Sequence, residues 1–341
     1  MSQRFQVIQP AEKPCSDNLE ASMHALLKDS DLVTRFCGLG EHEIFVIAET
    51  AFGTGLNCLL AWQLFLAHAP KDAKLVIYSA EKHPFTHSDF VQSLKAWPAL
   101  AREANLLIAA YPNLTPGMHV LLFEDGRVRM NLMLGDVLSG FQSLLVSGKA
   151  GLEQSLRPWQ VDAWLLNRAF SANNPAFFET MALLSHTGTT VTIFSEAGHA
   201  RPGLSTSAIK PRTPWAVAEP KKKPSQSVLI VGAGLAGCFV AHALSKRGMQ
   251  VRLVDSAAHV ASAGSGVAQA VLYPHLSAYA SPLSVWMQDA FLFASRTYGA
   301  WLEAGKIEGE LAGILQFDLK KSSFLAQQVD AMQASELAGI E

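Results

Sequence analysis

Twice along the chain a short apolar run breaks into a glycine-rich turn and then resumes at helical spacing. The first run, Ile44 to Ala48, enters Glu49-Thr50-Ala51-Phe52-Gly53-Thr54-Gly55, and Leu56 to Ala67 follows with a helical apolar pattern. The second, Val228 to Val231, enters Gly232-Ala233-Gly234-Leu235-Ala236-Gly237, which opens a helix predicted to run to about Lys246. Short continuous apolar runs bounded by turn residues predict buried strands. The stretch Val228 to Leu244 approaches the length of a membrane span, but three glycines at loop spacing and His242 interrupt it, so strand, turn and helix explain it better.

Further strands are predicted over Leu75 to Ser79, just before Glu81, over Val128 to Leu134, ending at Gly135-Asp136, and over Asp162 to Leu166 and Thr189 to Phe194. Later, Gln250 to Val254 reads as a strand ending at Asp255, and Ser284 to Leu302 as a helix whose Trp286, Phe291, Tyr298 and Trp301 are expected in the core. Strands alternating with helices imply an α/β fold, a parallel sheet covered on both faces. Between Lys210 and Ser227 the pattern stops: Pro211, Pro214, Pro220 and Pro224 break regular structure and Lys221 to Lys223 form a solvated charge run. The expected organisation is a domain over 1–210, a linker over 211–226 and a second domain over 227–341, with no internal repeat because the two loops differ in type.

Composition narrows the picture only modestly. With 341 residues, 49% hydrophobic and 16% charged, two well-packed cores are expected. A formal net charge of −2 gives no global attraction to nucleic acid, so any such binding must come from a local patch. Met1 to Pro14 is polar and lacks an apolar core, so no leader or membrane anchor is expected there. Cys15, Cys37, Cys58 and Cys238 are scattered without metal-type or redox-type spacing, which fits free thiols in a reducing cytoplasm and no metal site.

Glycines at 53 and 55 let backbone approach a ligand closely. In methyltransferases that use S-adenosylmethionine, one acid precedes such a loop and another ends the second strand, where it accepts ribose hydroxyl hydrogens. Glu49 and Glu81 occupy those places, and Asp136 could accept from the adenine amine. The second loop is a full G-x-G-x-x-G between strand and helix, with Asp255 at the distance expected to reach an adenosine ribose and a helix N-terminus facing a pyrophosphate. That loop does not separate flavin from nicotinamide. The small-residue stretch Ala263-Gly264-Ser265-Gly266-Val267-Ala268-Gln269 tilts the reading to FAD, with Ser265 and Gln269 as further candidates.

The pieces "FVIAETAFGTGLNCLLAWQLF", "YSAEKHPFTHSDF", "LMLGDV", "VDAWLLNRAFSANNPAFF", "VLIVGAGLAGCFVAHALSKRG" and "GSGVAQAVLYPHLS" together resemble the bacterial bifunctional family of 5-methylaminomethyl-2-thiouridine biosynthesis in tRNA. The resemblance runs from about Phe45 to Leu276. It implies a Rossmann-like S-adenosylmethionine methyltransferase domain followed by an FAD-binding Rossmann domain. It also implies tRNA as substrate: oxidation of a carboxymethylaminomethyl group on the wobble uridine, hydrolysis to the aminomethyl group, then methylation of that amine.

Three departures from the family accompany the resemblance. The family's carboxylate, opening an Asp-Gly-Phe-Ala-Pro motif after the fourth strand, is Asn167 here, followed by Arg168. An amide accepts a hydrogen bond but cannot take a proton or neutralise an ammonium, so methyl transfer is expected to be impaired. After Leu204 the chain passes almost at once into the proline-rich stretch, so the sheet is expected to lack its last strands. Only 115 residues follow Gln226, by subtraction of 226 from 341, so an incomplete flavin domain with weak or absent FAD is expected. Two classes of function follow: an impaired bifunctional tRNA-modifying enzyme, or a non-catalytic protein that keeps S-adenosylmethionine or tRNA binding.

Overall fold

The computed structural model describes residues 30–145, 160–167, 174–194, 200–201, 227–246, 248–273 and 281–312. The expected linker over 211–226, Arg168 and Cys15 lie outside the described residues. Strands β1 (Ile44–Glu49), β2 (Lys74–Glu81), β3 (Gly117–Phe123), β4 (Val128–Leu134), β5 (Val161–Asn167), β6 (Ser185–Phe194) and β7 (Ala200–Arg201) form one sheet in the order β3-β4-β2-β1-β5-β6-β7. The central strands are parallel, whereas β3 and β7 run antiparallel to β4 and β6 at the two edges. After β6 the sheet continues, among the described residues, only as the two-residue β7.

The sheet's pleat sorts side chains by period two. Phe45, Ile47, Leu75, Ile77, Met130 and Leu132 face a core shared with α1 (Leu32–Cys37), α2 (Leu56–His68), α3 (His87–Leu94) and α4 (Ala101–Ala110). Their neighbours Val46, Ala48, Tyr78 and Ala80 face the opposite core, filled by α5 (Val137–Ser143) and α6 (Pro175–Leu184). Trp62 and Trp164 are each fully buried, one in each layer. Burial of such large side chains contributes at least about 1.5–3 kcal/mol apiece, which is why the continuous apolar runs become central strands. α3 starts where the Thr86 hydroxyl accepts the Asp89 N–H, and α6 where the Asn174 side chain accepts the Phe177 N–H.

A second, two-stranded parallel sheet pairs β8 (Ser227–Val231) with β9 (Gln250–Val254). α7 (Leu235–Ser245) covers one face. The other face leaves Leu229 60% and Val231 81% exposed. α8 (Pro282–Glu303) begins in a capping box made by Ser281 and Ser284. Trp286 corrects the sequence expectation: it is 66% exposed, because α8 turns a different stripe, including Leu292, inward. No helix among the described residues is long and apolar enough to cross a membrane.

Candidate functional site

The chain goes from β1 to its neighbour β2 on one side and later returns to β5 on the other, so winding reverses at β1. Ligands of open α/β sheets bind in the crevice at the carboxyl ends of strands where the order reverses. Glu49, Glu81, Asn167 and the Gly135-Asp136 pair stand at the carboxyl ends of β1, β2, β5 and β4, and the first glycine loop leaves from β1. Topology therefore gathers these sequence candidates along one edge of the sheet.

Glu81 clamps the loop. Its Oε2 accepts the Gly53 N–H and its Oε1 the His83 N–H, each at 2.8 Å. Gly53 (φ 53°) and Gly55 (φ 74°) are both left-handed, which favours glycine. A Cβ on Gly53 would meet nothing within 4 Å, so this backbone borders open space, whereas one on Gly55 would lie 2.9 Å from the Phe52 ring. The second glycine thus makes room for the chain's own aromatic residue. The ring of Phe52 stacks near Phe90, which lies 4.0 Å from Tyr111, and the Tyr111 hydroxyl donates to the Phe85 carbonyl. Burial, and next the Glu81 carboxylate, push the Tyr111 phenol above its ordinary range, so it stays a neutral donor. Sequence reasoning missed this aromatic wall, although Phe52 stands in the glycine loop itself and Phe90 ends the "PFTHSDF" segment.

Glu49 takes a different place from the one expected. It is 2% exposed, and its carboxylate accepts from Ser79 Oγ at 2.6 Å, Asn57 Nδ2 at 2.9 Å and Cys58 Sγ at 3.1 Å. Burial and the adjacent Glu49 carboxylate raise the Cys58 thiol well above its usual value, so Cys58 is a protonated donor rather than a nucleophile. These bonds tie β1, β2 and the first turn of α2 together beneath the loop. Asp136 is the N-cap of α5, its Oδ1 accepting the Ser139 N–H at 2.9 Å and the Ser139 hydroxyl at 2.8 Å. Thr50 joins the loop to β5: its N–H donates to the Leu165 carbonyl at 3.1 Å and its hydroxyl accepts the Asn167 N–H at 2.9 Å. Asn167 is thereby held beside the start of the loop.

The second loop lies at the carboxyl end of β8. Gly232 has φ 104° and open space where a Cβ would stand, while a Cβ on Gly237 would lie 1.8 Å from the Gly232 carbonyl oxygen. One glycine permits the turn and the other lets helix and strand touch, which are the roles such a fingerprint assigns. A Cβ on Gly234 would sit 3.2 Å from Ser265 Oγ, and that hydroxyl accepts the Leu235 N–H at 3.0 Å, on the helix N-terminus. Asp255 Oδ2 accepts the Ala233 N–H at 2.7 Å and Oδ1 the Ala257 N–H at 2.8 Å. The bond from Ala257, then that from Ala233, lower the Asp255 carboxyl below its ordinary value. Gln269 is on the exposed stretch that follows. Among the described residues no cluster of His, Cys, Asp and Glu could hold a metal ion.

Residues 227–338 match the family model described as FAD dependent oxidoreductase. Over 373 residues the chain is 35% identical to the tRNA 5-methylaminomethyl-2-thiouridine biosynthesis bifunctional protein MnmC of Legionella pneumophila, a match covering 94% of this chain and 56% of the relative. The protein of the same name from Chromobacterium violaceum is 34% identical, with 96% of this chain and 54% of the relative covered. A crystal structure of MNMC2 from Aquifex aeolicus is similar at 14% identity over 49% of this chain and 47% of that one, with a TM-score of 0.32. The chain spans about half the length of the curated relatives it matches. Sequence identity sustained along nearly the whole chain, with an oxidoreductase match after the proline-rich stretch, makes the protein similar to about half the length of the tRNA 5-methylaminomethyl-2-thiouridine biosynthesis bifunctional proteins.

Proposed function

We propose that the chain modifies the wobble uridine of tRNA, with residues 1–210 as an S-adenosylmethionine unit, 211–226 as a linker and residues from 227 onward as a flavin unit. The observation that carries this reading is the repeated arrangement of glycine loop and acid: Gly53 with Glu81, and Ala233 beside Gly234 with Asp255. In each, the carboxylate ending the next strand holds a loop N–H and fixes the backbone that a nucleoside cofactor would meet. Gly53 and Gly232 both border open space, which fits a ligand lying against bare backbone.

For the second loop, Gly232, Gly234, Gly237, Asp255 and Ser265 would hold the adenosine and pyrophosphate end of FAD, and Gln269 follows on the same stretch. FAD, when bound, would supply two-electron oxidation of the carboxymethylaminomethyl N–CH2 bond. Water added to the resulting substrate imine, formed on the carboxymethyl side, releases the two carbons as glyoxylate and leaves the aminomethyl group. For the first loop, Gly53, Gly55 and Glu81 would hold S-adenosylmethionine, Asp136 would face the adenine, and Glu49 would act from beneath by fixing the loop. The methyl acceptor, a primary amine, is mostly protonated at neutral pH and must lose a proton to expose its lone pair. Asn167 supplies an acceptor but no base.

That amide favours a second reading, in which the chain binds S-adenosylmethionine or tRNA without methylating. Mass analysis of wobble-uridine nucleosides from a strain whose only copy is this chain separates the two. Methylaminomethyl product supports the full reaction, aminomethyl product supports oxidation alone, and unchanged carboxymethylaminomethyl nucleoside supports the binding reading.

A further inference from the structure

α8 touches both sheets' neighbourhoods. On one side its Tyr298 and Trp301 pack on Phe239 of α7, with ring centroids 5.6 Å and 5.5 Å apart, and Trp301 meets His242 edge-on at 5.3 Å. On the other it lies against β3, the edge strand of the seven-stranded sheet. There the Asp289 carboxylate reaches the backbone at the start of β3: the Met118 N–H acts on it to favour its charged form, while Oδ1, the oxygen seated against Gly117, is buried without a hydrogen-bond partner. Gly117 admits it: with φ 138°, a Cβ at this position would lie 2.6 Å from Asp289 Oδ1 and 3.1 Å from Oδ2. Leu292, one turn later on α8, is 3% exposed, and Arg296, two turns later, acts electrostatically on both Asp289 and His119 of β3.

We propose that α8 is an intramolecular clasp whose Asp289 docks on the Gly117–Met118 step, closing the open edge of the large sheet and fixing the two-stranded unit against it. An edge strand presents unpaired N–H groups that must be covered or blunted. A carboxylate suits this task only where a backbone donor stands beside a missing side chain, and β3 offers that at Gly117. The contact therefore sets register: one residue of slip along β3 would bring a Cβ into the carboxylate's place. A second contact at the other end of the β3–β4 hairpin is independent of the first. Lys246, just past α7, pairs with Asp125 at 2.5 Å, and Lys74 Nζ donates to the Lys246 carbonyl at 3.5 Å. The exposed Lys246–Asp125 pair adds little strength, but it anchors the same hairpin. The clasp holds the two glycine loops in one fixed relation whatever each loop binds.

Hydrogen exchange read by mass spectrometry on the full chain tests this. Asp289→Ala should raise exchange across the Met118–Leu121 segment about tenfold, the scale set by losing one ordinary hydrogen bond, while exchange across Phe45–Ala48 of β1 stays as in the wild type. Gly117→Ala, which keeps the carboxylate but fills its seat, should give the same local rise. Asp289→Asn retains an acceptor and should stay within about threefold of the wild type on the same scale. Unchanged exchange at β3 in either Asp289→Ala or Gly117→Ala overturns the clasp. Loss of protection spreading into β1 in both variants also overturns it, because the contact would then belong to the general core.

Discussion

The Glu81 carboxylate holds the Gly53 amide at 2.8 Å, so the acid ending the second strand, expected to accept ribose hydroxyl hydrogens, also shapes the glycine loop. Its other oxygen is held by His83, and a carboxylate has about four acceptor positions. Two remain for ribose hydroxyls without release of the loop.

Removing that carboxylate should therefore act twice on S-adenosylmethionine binding, by losing ribose contacts and by freeing Gly53. Each hydrogen bond to a charged acceptor is worth about 1.5–3 kcal/mol. Calorimetric titration of Glu81→Ala should show affinity lower by tenfold or more, in the sense of that estimate. Equal affinity in wild type and variant would remove Glu81 from the binding site.

Glu49 should behave as a support. Glu49→Gln places an amide N–H2 among the Ser79, Asn57 and Cys58 donors and leaves buried donors facing one another. The expected loss is about 1–3 kcal/mol of stability in urea unfolding. If the variant unfolds as the wild type does and only cofactor affinity falls, Glu49 is a ligand after all.

The central strands of the large sheet were legible because burial on both faces demands continuous apolar runs, as in the Ile44 to Ala48 part of β1. β3 was not, since Gly117–Phe123 is an edge strand with mixed burial whose sequence follows a proline-rich turn. The glycine loops and strand-end acids could be placed from spacing alone, but the direction of each carboxylate could not. Glu49 turns inward only because Asn57, Cys58 and Ser79 converge on it from two elements. Helical periodicity found α8 yet misjudged Trp286, because α8 docks through Asp289 against a bare glycine, a contact that hydrophobic counting cannot register.

Two groups at the clasp should respond to pH in opposite directions. Burial pushes Asp289 up to about 6, against the lowering effects of the Met118 N–H and Arg296. Detached in water, the same carboxyl would titrate near ~3.9. The docked form thus binds its proton more tightly: the associated stabilisation is full below about 4 and is lost as pH rises through about 6. His119 faces the same interface from β3, and burial pulls it down to about 4, with the Thr115 carbonyl opposing and Arg296 assisting. An unfolded histidine titrates near ~6.5, so the contribution of neutral His119 is present above that and is lost as pH falls through about 4. Subtracting Asp289→Asn from wild type isolates the carboxyl: β3 exchange should be faster in the wild type above about pH 6 and converge with the variant near ~4. A difference that does not vary with pH would rule out titration of Asp289 in the docked state.

Flavin affinity should depend on Asp255 through the loop. Its two oxygens hold Ala233 and Ala257, so Asp255→Ala removes two bonds that set the turn at Gly234 as well as any ribose contact. Fluorescence titration with FAD should show tenfold or greater weakening, on the scale of a charged hydrogen bond. Ser265→Ala frees the Leu235 N–H at the helix N-terminus for a phosphate oxygen and should weaken binding far less. Indifference of FAD to Asp255→Ala would place the dinucleotide elsewhere.

Methyl transfer should be limited by Asn167. The backbone of this residue is fixed beside the glycine loop by Thr50, so a carboxylate introduced there inherits a set position. Asn167→Asp would pair with the substrate ammonium and take its proton as the lone pair turns toward the sulfonium methyl, and general-base assistance is worth about a hundredfold or more. Single-turnover transfer of labelled methyl to aminomethyl-bearing tRNA should rise by that order, with S-adenosylmethionine affinity nearly unchanged. The combined Asn167→Asp, Arg168→Gly variant should exceed it, because the positive charge that follows position 167 in the sequence is removed. A rise in cofactor affinity without a rise in rate would show that the amide is not what limits transfer.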